Sequence, residues 1–156
     1  MTDHFQEDRW SLDSAIEQFM AEGFRDGDLV SHDYLRHLLD INDAAVRSNE
    51  FVLLERMDSL KTVLLEAHKI ALQNVRGRGY RIVPPSEQAR YAAEEAARLM
   101  AKGLRKSTRL LEHTRLDALD TDERRRHTDT QVRLAALEGM VRKGKRDVFK
   151  LFDGKK

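Results

Sequence analysis

The residues with the clearest chemical potential in this 156-residue chain lie in one run, Val75-Arg76-Gly77-Arg78-Gly79-Tyr80-Arg81. A guanidinium presents its donors as a planar fork that matches phosphate or carboxylate oxygens, so three arginines around two glycines offer recognition of an anion. They do not offer proton transfer, because arginine keeps its proton at all ordinary pH values. Lys61, His68 and Lys69 extend the positive character upstream. A second cluster, Arg124-Arg125-Arg126, opens a later segment, where cations oppose the dipole of a helix start unless an anion or the nearby Asp120, Asp122, Glu123 and Asp129 compensate.

The other constellations are weaker. Glu94, Glu95, Glu112, Asp117, Asp120 and Asp122 could supply carboxylates to a nuclease, but their spacing is that of ordinary helix surface. No nucleophile-elbow pattern surrounds Ser31, Ser59, Ser86 or Ser107. Gly77 and Gly79 lack the lysine and hydroxyl of a phosphate loop and precede a strand pattern. Asp26, Asp28 and Asp33 do not make the alternating series of a calcium loop, and His32 and His37 do not share a helical face. The chain has no cysteine, which removes disulfides, thiol catalysis and thiolate metal sites. The expectation is a chain that is not an enzyme and takes no cofactor and no metal.

The arginine run needs elements to hold it. Upstream, Leu60, Val63, Leu64 and Ala67 recur at helical spacing. Residues 70–75 and 80–83 are short runs rich in branched and aromatic side chains, and the glycines between them suit a tight hairpin, which Pro84-Pro85 terminates. Pairing Val75 with Tyr80 mixes polar and apolar residues on both faces, so the residues support a hairpin without fixing its register. A helix feeding a hairpin with arginines at its tip is the layout of a winged helix. The run resembles the wing of OmpR-type response-regulator DNA-binding domains. That resemblance implies duplex DNA as the partner, with Arg76, Arg78 and Arg81 on or near the wing, Tyr80 anchoring its base, and the preceding helix as the candidate recognition helix. That helix offers Lys61, His68 and Lys69 against Asp58 and Glu66.

Around this centre the chain reads mainly as helix. Leu12, Ala15, Ile16, Phe19 and Met20 define a first helix, opened near Ser11 or Asp13 and closed by Gly23. Trp10 and Phe24 read as packing residues. Asp26-Gly27 supplies a turn, Leu29-Val30 a first strand or extended lead-in, and Ser31 a cap for a short helix with Tyr34, Leu35, Leu38 and Leu39 on its apolar face. Asn42 or Ser48 is a possible cap for the next helical segment, and residues 51–65 form one long helix or two joined at Asp58-Ser59. If there is one helix, it is a support and the wing carries most of the nucleic-acid contact.

Beyond the prolines, Ser86 is a possible cap for a helix carrying Ala89, Ala92, Ala96, Leu99, Gly103, Ser107, Leu110 or Leu111, and Thr114, whose lysines and arginines at 98, 102, 105, 106 and 109 are read as falling on several sides. It ends near residues 116–119. Asp120 and Glu123 form a capping box for another helix, which carries an apolar stripe through Val132, Ala135, Leu137, Met140 and Val141 to Gly144. A last short helix would dock Val148, Phe149, Leu151 and Phe152.

The net charge of +1 is unevenly spread. Residues 1–56 hold 5 Lys and Arg against 13 Asp and Glu, residues 57–85 hold 5 against 2, and residues 86–156 hold 18 against 12. The middle and end suit a polyanion, and the acidic residues 1–56 suit a basic protein partner or the chain's own basic tail. No run is apolar and long enough to span a membrane, and no secretory leader is evident, so no membrane partner and a cytoplasmic location are expected.

The reading is a mainly α protein with a small β-hairpin: a winged-helix-like domain over residues 1–85, then an antiparallel helical hairpin and basic segment over 86–156. It is expected to bind duplex DNA as a regulatory or accessory factor and to form a homodimer through residues 89–141. The competing expectation is a helical protein-interaction module, an adaptor or inhibitor encoded by a bacterium or phage, without direct nucleic-acid binding.

Overall fold

The first two helices begin where the sequence offers a serine cap. Ser11, in extended conformation, accepts a hydrogen bond from the Ser14 amide at 3.3 Å and opens α1, Leu12–Ala21. Gly27, at φ 85°, makes the next turn, and the Asp28 carboxylate accepts from the Arg25 amide at 2.8 Å. The chain then enters β1, Leu29–Ser31, whose last residue caps α2, His32–Leu38, by accepting from the Tyr34 amide at 3.2 Å. The structure, a computed structural model, describes residues 10–41 and 46–152, with side chains over 10–41 and 50–144. The cap roles expected of Asn42 and Ser48, and the docking of Val148, Phe149, Leu151 and Phe152, lie outside the residues or side chains described.

The third helix, α3, is a single element over Val46–His68. Asp58 and Ser59 do not divide it. The Ser59 hydroxyl donates to the Glu55 carbonyl at 3.0 Å and the Thr62 hydroxyl to the Asp58 carbonyl at 2.9 Å, so the polar side chains bond back into the helix instead of capping a new one. After His68 the chain reverses through Lys69, at φ 60°.

Strands β2, Ala71–Val75, and β3, Gly79–Val83, are antiparallel, with β1 on the other side of β3, giving the order β1-β3-β2. The register corrects the pairing of Val75 with Tyr80 by one residue: Val75 faces Gly79, and Asn74 faces Tyr80. The cause is a three-residue loop. Arg78 donates to the Val75 carbonyl at 3.0 Å across a turn whose third residue, Gly77, has φ 73°, and this leaves Gly79 free to join the ladder. The shift sets Leu72 opposite Ile82, and both are buried.

The core gathers Ile16 and Phe19 from α1, Val30 from β1, Leu35 and Leu38 from α2, Met57, Leu60 and Leu64 from α3, and Leu72 and Ile82 from the hairpin. Trp10 closes one edge, donating to the Leu38 carbonyl at 3.3 Å beneath the Arg56 guanidinium, 4.5 Å from its ring centroid.

The chain divides into two compact units, Met1–Gln88 and Ala89–Lys156. Helix α4, Pro85–Glu112, starts at the boundary. Pro85 needs no amide partner there, and the Pro84 carbonyl accepts from the Glu87 amide at 2.9 Å, so Ser86 lies inside the helix and does not cap it. A 3-10 turn, Leu116–Ala118, leads to α5, Thr121–Phe152. Asp120 and Glu123 exchange hydrogen bonds of 3.0 and 2.8 Å, a complete capping box. The last helix passes Gly144 without a break, so no separate terminal helix exists among the described residues. A ring nitrogen of His127 lies 3.0 Å from the Leu111 carbonyl oxygen, and Leu134 and Ala135 share a crevice with Thr108 and Leu111, so α5 runs back along α4. Among the described residues no helix is long and apolar enough to cross a membrane.

Candidate nucleic-acid interface

The hairpin tip is built from a packed base outward. Tyr80 sits between Val30 and Asn74 in the sheet and is half-buried, and burial raises the pKa of its phenol. The His32 ring meets Tyr80 edge-on at 6.0 Å, and Lys61 places its ammonium 5.6 Å from the ring centroid. Lys61 is therefore held beside the base of the hairpin. Beyond it, Arg76 and Arg78 flank Gly77 and are exposed, and neither guanidinium has a hydrogen-bonding or ionic partner among the described residues.

The two glycines of the run serve different purposes. A Cβ on Gly77 would meet open space, and its positive φ alone selects glycine. A Cβ on Gly79 would lie 2.0 Å from the Val30 carbonyl oxygen, so Gly79 is needed for the approach of β1. Arg81 is also unlike its neighbours in sequence. Its fork donates to both carboxylate oxygens of Glu87, at 2.7 and 3.1 Å, and this hydrogen bonding raises the guanidinium's pKa. Lys69 donates from its ammonium to the Glu66 carbonyl at 2.6 Å and so caps its own helix end. His68 is exposed at the last position of α3.

Along α3 the exposed residues include Phe51, Leu54, Glu55, Asp58, Thr62, Leu65 and Glu66. The described cations of this helix point elsewhere: Arg56 donates to the Leu39 carbonyl and Lys61 lies at Tyr80. The outer face is thus acidic and apolar, with Phe51 81% and Leu54 66% exposed. Leu54 also borders a cleft of about 780 Å³ between α2 and α3, which Asp33, His37, Leu53 and Met57 help to line.

In the second unit, Arg124 donates to the carbonyls of Leu116 and Leu119 at 3.0 and 3.1 Å and clamps the 3-10 turn, while Arg125 and Arg126 are exposed. Sequence reasoning missed a better cluster. Lys102, Arg105, Lys106 and Arg109 follow i, i+3, i+4, i+7 spacing on α4, and they line one open groove with Thr108, Glu112 and Glu138. Reading positions 98–109 as falling on several sides overlooked this period, which is present in the sequence. Among the described residues no group of histidine and carboxylate side chains is arranged to hold a metal ion. No family model matches the chain, and comparison with curated proteins and with solved structures gives no match.

Proposed function

We propose that residues 10–88 act as a winged-helix unit on duplex DNA, with the β2–β3 hairpin as the wing. The observation that carries this reading is the pair of unengaged guanidiniums, Arg76 and Arg78, at the tip of a hairpin whose base is packed against the core. The order α1-β1-α2-α3-β2-β3 and the sheet order β1-β3-β2 support it. Each guanidinium meets a phosphate through paired donors or enters a narrow minor groove, where the negative potential is enhanced. In this reading α3 is a support helix, because its outer carboxylates would be repelled by a groove. The chain serves as a regulatory or accessory factor and assembles as a homodimer through residues 89–141.

Fluorescence anisotropy with mixed-sequence duplexes across a salt series tests the reading. The double substitution R76A/R78A is expected to weaken binding and to lower the salt slope by roughly two units, with an unchanged melting temperature. A normally folded double variant that keeps the parent's affinity and slope removes the wing from the mechanism.

The exposed Phe51 and Leu54 beside Glu55 and Asp58 favour a second reading, a module that binds a basic amphipathic helix of another protein. Absence of duplex binding at low salt by the folded protein selects it.

A further inference from the structure

We propose that α4 carries a second phosphodiester-binding surface, the stripe Lys102, Arg105, Lys106 and Arg109, which follows a nucleic-acid backbone independently of the hairpin tip. The proposal rests on the reading of the chain as a DNA-binding protein, and it uses residues in the other compact unit.

At 3.6 residues per turn the four side chains fall within about 100° of the helix circumference and span about 10 Å of its length. Three other arginines of the second unit pair with an acidic neighbour on their own helix: Arg90 with Glu94 at 2.9 Å, Arg98 with Glu95 at 2.9 Å, and Arg142 with Glu138 at 3.5 Å. Lys102, Arg105, Lys106 and Arg109 have no such partner among the described residues. Like charges at these spacings repel along a helix, and a row of phosphates relieves that repulsion. Two carboxylates also line the groove, Glu112, which follows the stripe on α4, and Glu138 of α5, which pairs with Arg142.

The rest of α4 leaves this face open. Ala101, Leu104, Thr108 and Leu111 are half-buried on the side toward α5, and Ala92, Ala96, Leu99, Gly103 and Leu110 form an exposed apolar line on a third side. The charged arc therefore stays accessible in the α4–α5 hairpin. Its own positions, 102, 105, 106 and 109, include no apolar residue, whereas the centre of a protein interface is built on apolar and aromatic anchors. A duplex needs only regularly spaced positive charge, since it carries one phosphate per about 1.7 Å of its axis.

The test uses the full chain, a mixed-sequence DNA duplex and a poly-aspartate probe, read by anisotropy across a salt series. The variant K102Q/R105Q/K106Q/R109Q keeps good helix formers, and it is expected to bind duplex at least tenfold more weakly with a salt slope lower by roughly three to four units. The charge-conserving R105K/R109K is expected to keep the parent slope, which separates charge from folding. A glutamine variant of normal helicity with the parent's affinity and slope overturns the proposal. So does parent binding to poly-aspartate as tight as to duplex, which would assign the stripe to an acidic protein. Loss of binding in this variant with R76A/R78A silent sustains the stripe and removes the wing, and the reverse pattern sustains the wing alone.

Discussion

Residues of one type within a few positions of each other do unlike work in this chain. Gly77 and Gly79 both read as turn residues, yet only Gly79 has a strand backbone against its α-carbon. Gly79→Ala combines φ 146° with a contact at 2.0 Å and is expected to cost about 3 kcal/mol or more, whereas Gly77→Ala meets open space and costs about 1 kcal/mol. Urea melts of the two variants measure the difference, and equal midpoints would contradict the close β1–β3 approach. Arg81 is distinguished from Arg76 and Arg78 by Glu87 in the same way. Glu87→Gln is expected to free Arg81, steepening the salt dependence of DNA binding by about one unit with little change in melting temperature. An unchanged slope would place Arg81 away from the nucleic acid even when released.

At the scale of elements, the parts legible in the sequence are those whose partners are sequence neighbours. Ser11, Ser31 and the Asp120–Glu123 box are local, and each caps the helix its sequence position predicts. Asp120→Ala is accordingly expected to destabilise the α4–α5 hairpin by about 1 kcal/mol, seen as a lower helical melting temperature, while duplex binding through Arg76 and Arg78 persists. The register of the hairpin is not legible, because it depends on how many residues the turn at Gly77 absorbs. Nor is the pairing of β1 with β3, since Val30 and Tyr80 are brought together only by the core between them. The continuity of α3 is open in the sequence as well. Asp58 and Ser59 look like a cap there, and burial of Met57, Leu60 and Leu64 along one face holds the helix through them. The candidate site divides similarly: the glycine pattern marks Arg76 and Arg78, but the sequence does not mark the Leu116 and Leu119 carbonyls that occupy Arg124. The stripe on α4 becomes visible as a period of four cations once charge, as well as apolarity, is counted around the helix.

For the whole molecule the question is what completes the second unit. No described residue of α4 or α5 is buried, and Leu99, Leu110, Val132 and Met140 are 56, 68, 64 and 67% exposed. Most helical stability in proteins comes from packing an apolar face, and two helices provide one interface where a bundle provides several. The apolar line of α4, with small residues at Ala92, Ala96 and Gly103, permits close approach of another helix, and a second copy of the chain supplies a matching surface by symmetry. We therefore expect sedimentation to give twice the mass of one chain. The substitutions L99K/L110K are expected to return it to one chain and to lower the melting temperature of the helical unit. The core around Phe19, Leu60 and Leu64 belongs to the other unit and should melt as in the parent. Dimer formation would also double the phosphate contacts available to each complex, so the monomeric variant should show a shallower salt dependence on duplex DNA than the parent, with Arg76 and Arg78 intact. A single-chain mass for the parent across a wide concentration range would exclude the dimer, and the proposed DNA binding would then have to be carried by the hairpin tip and the α4 stripe of one chain.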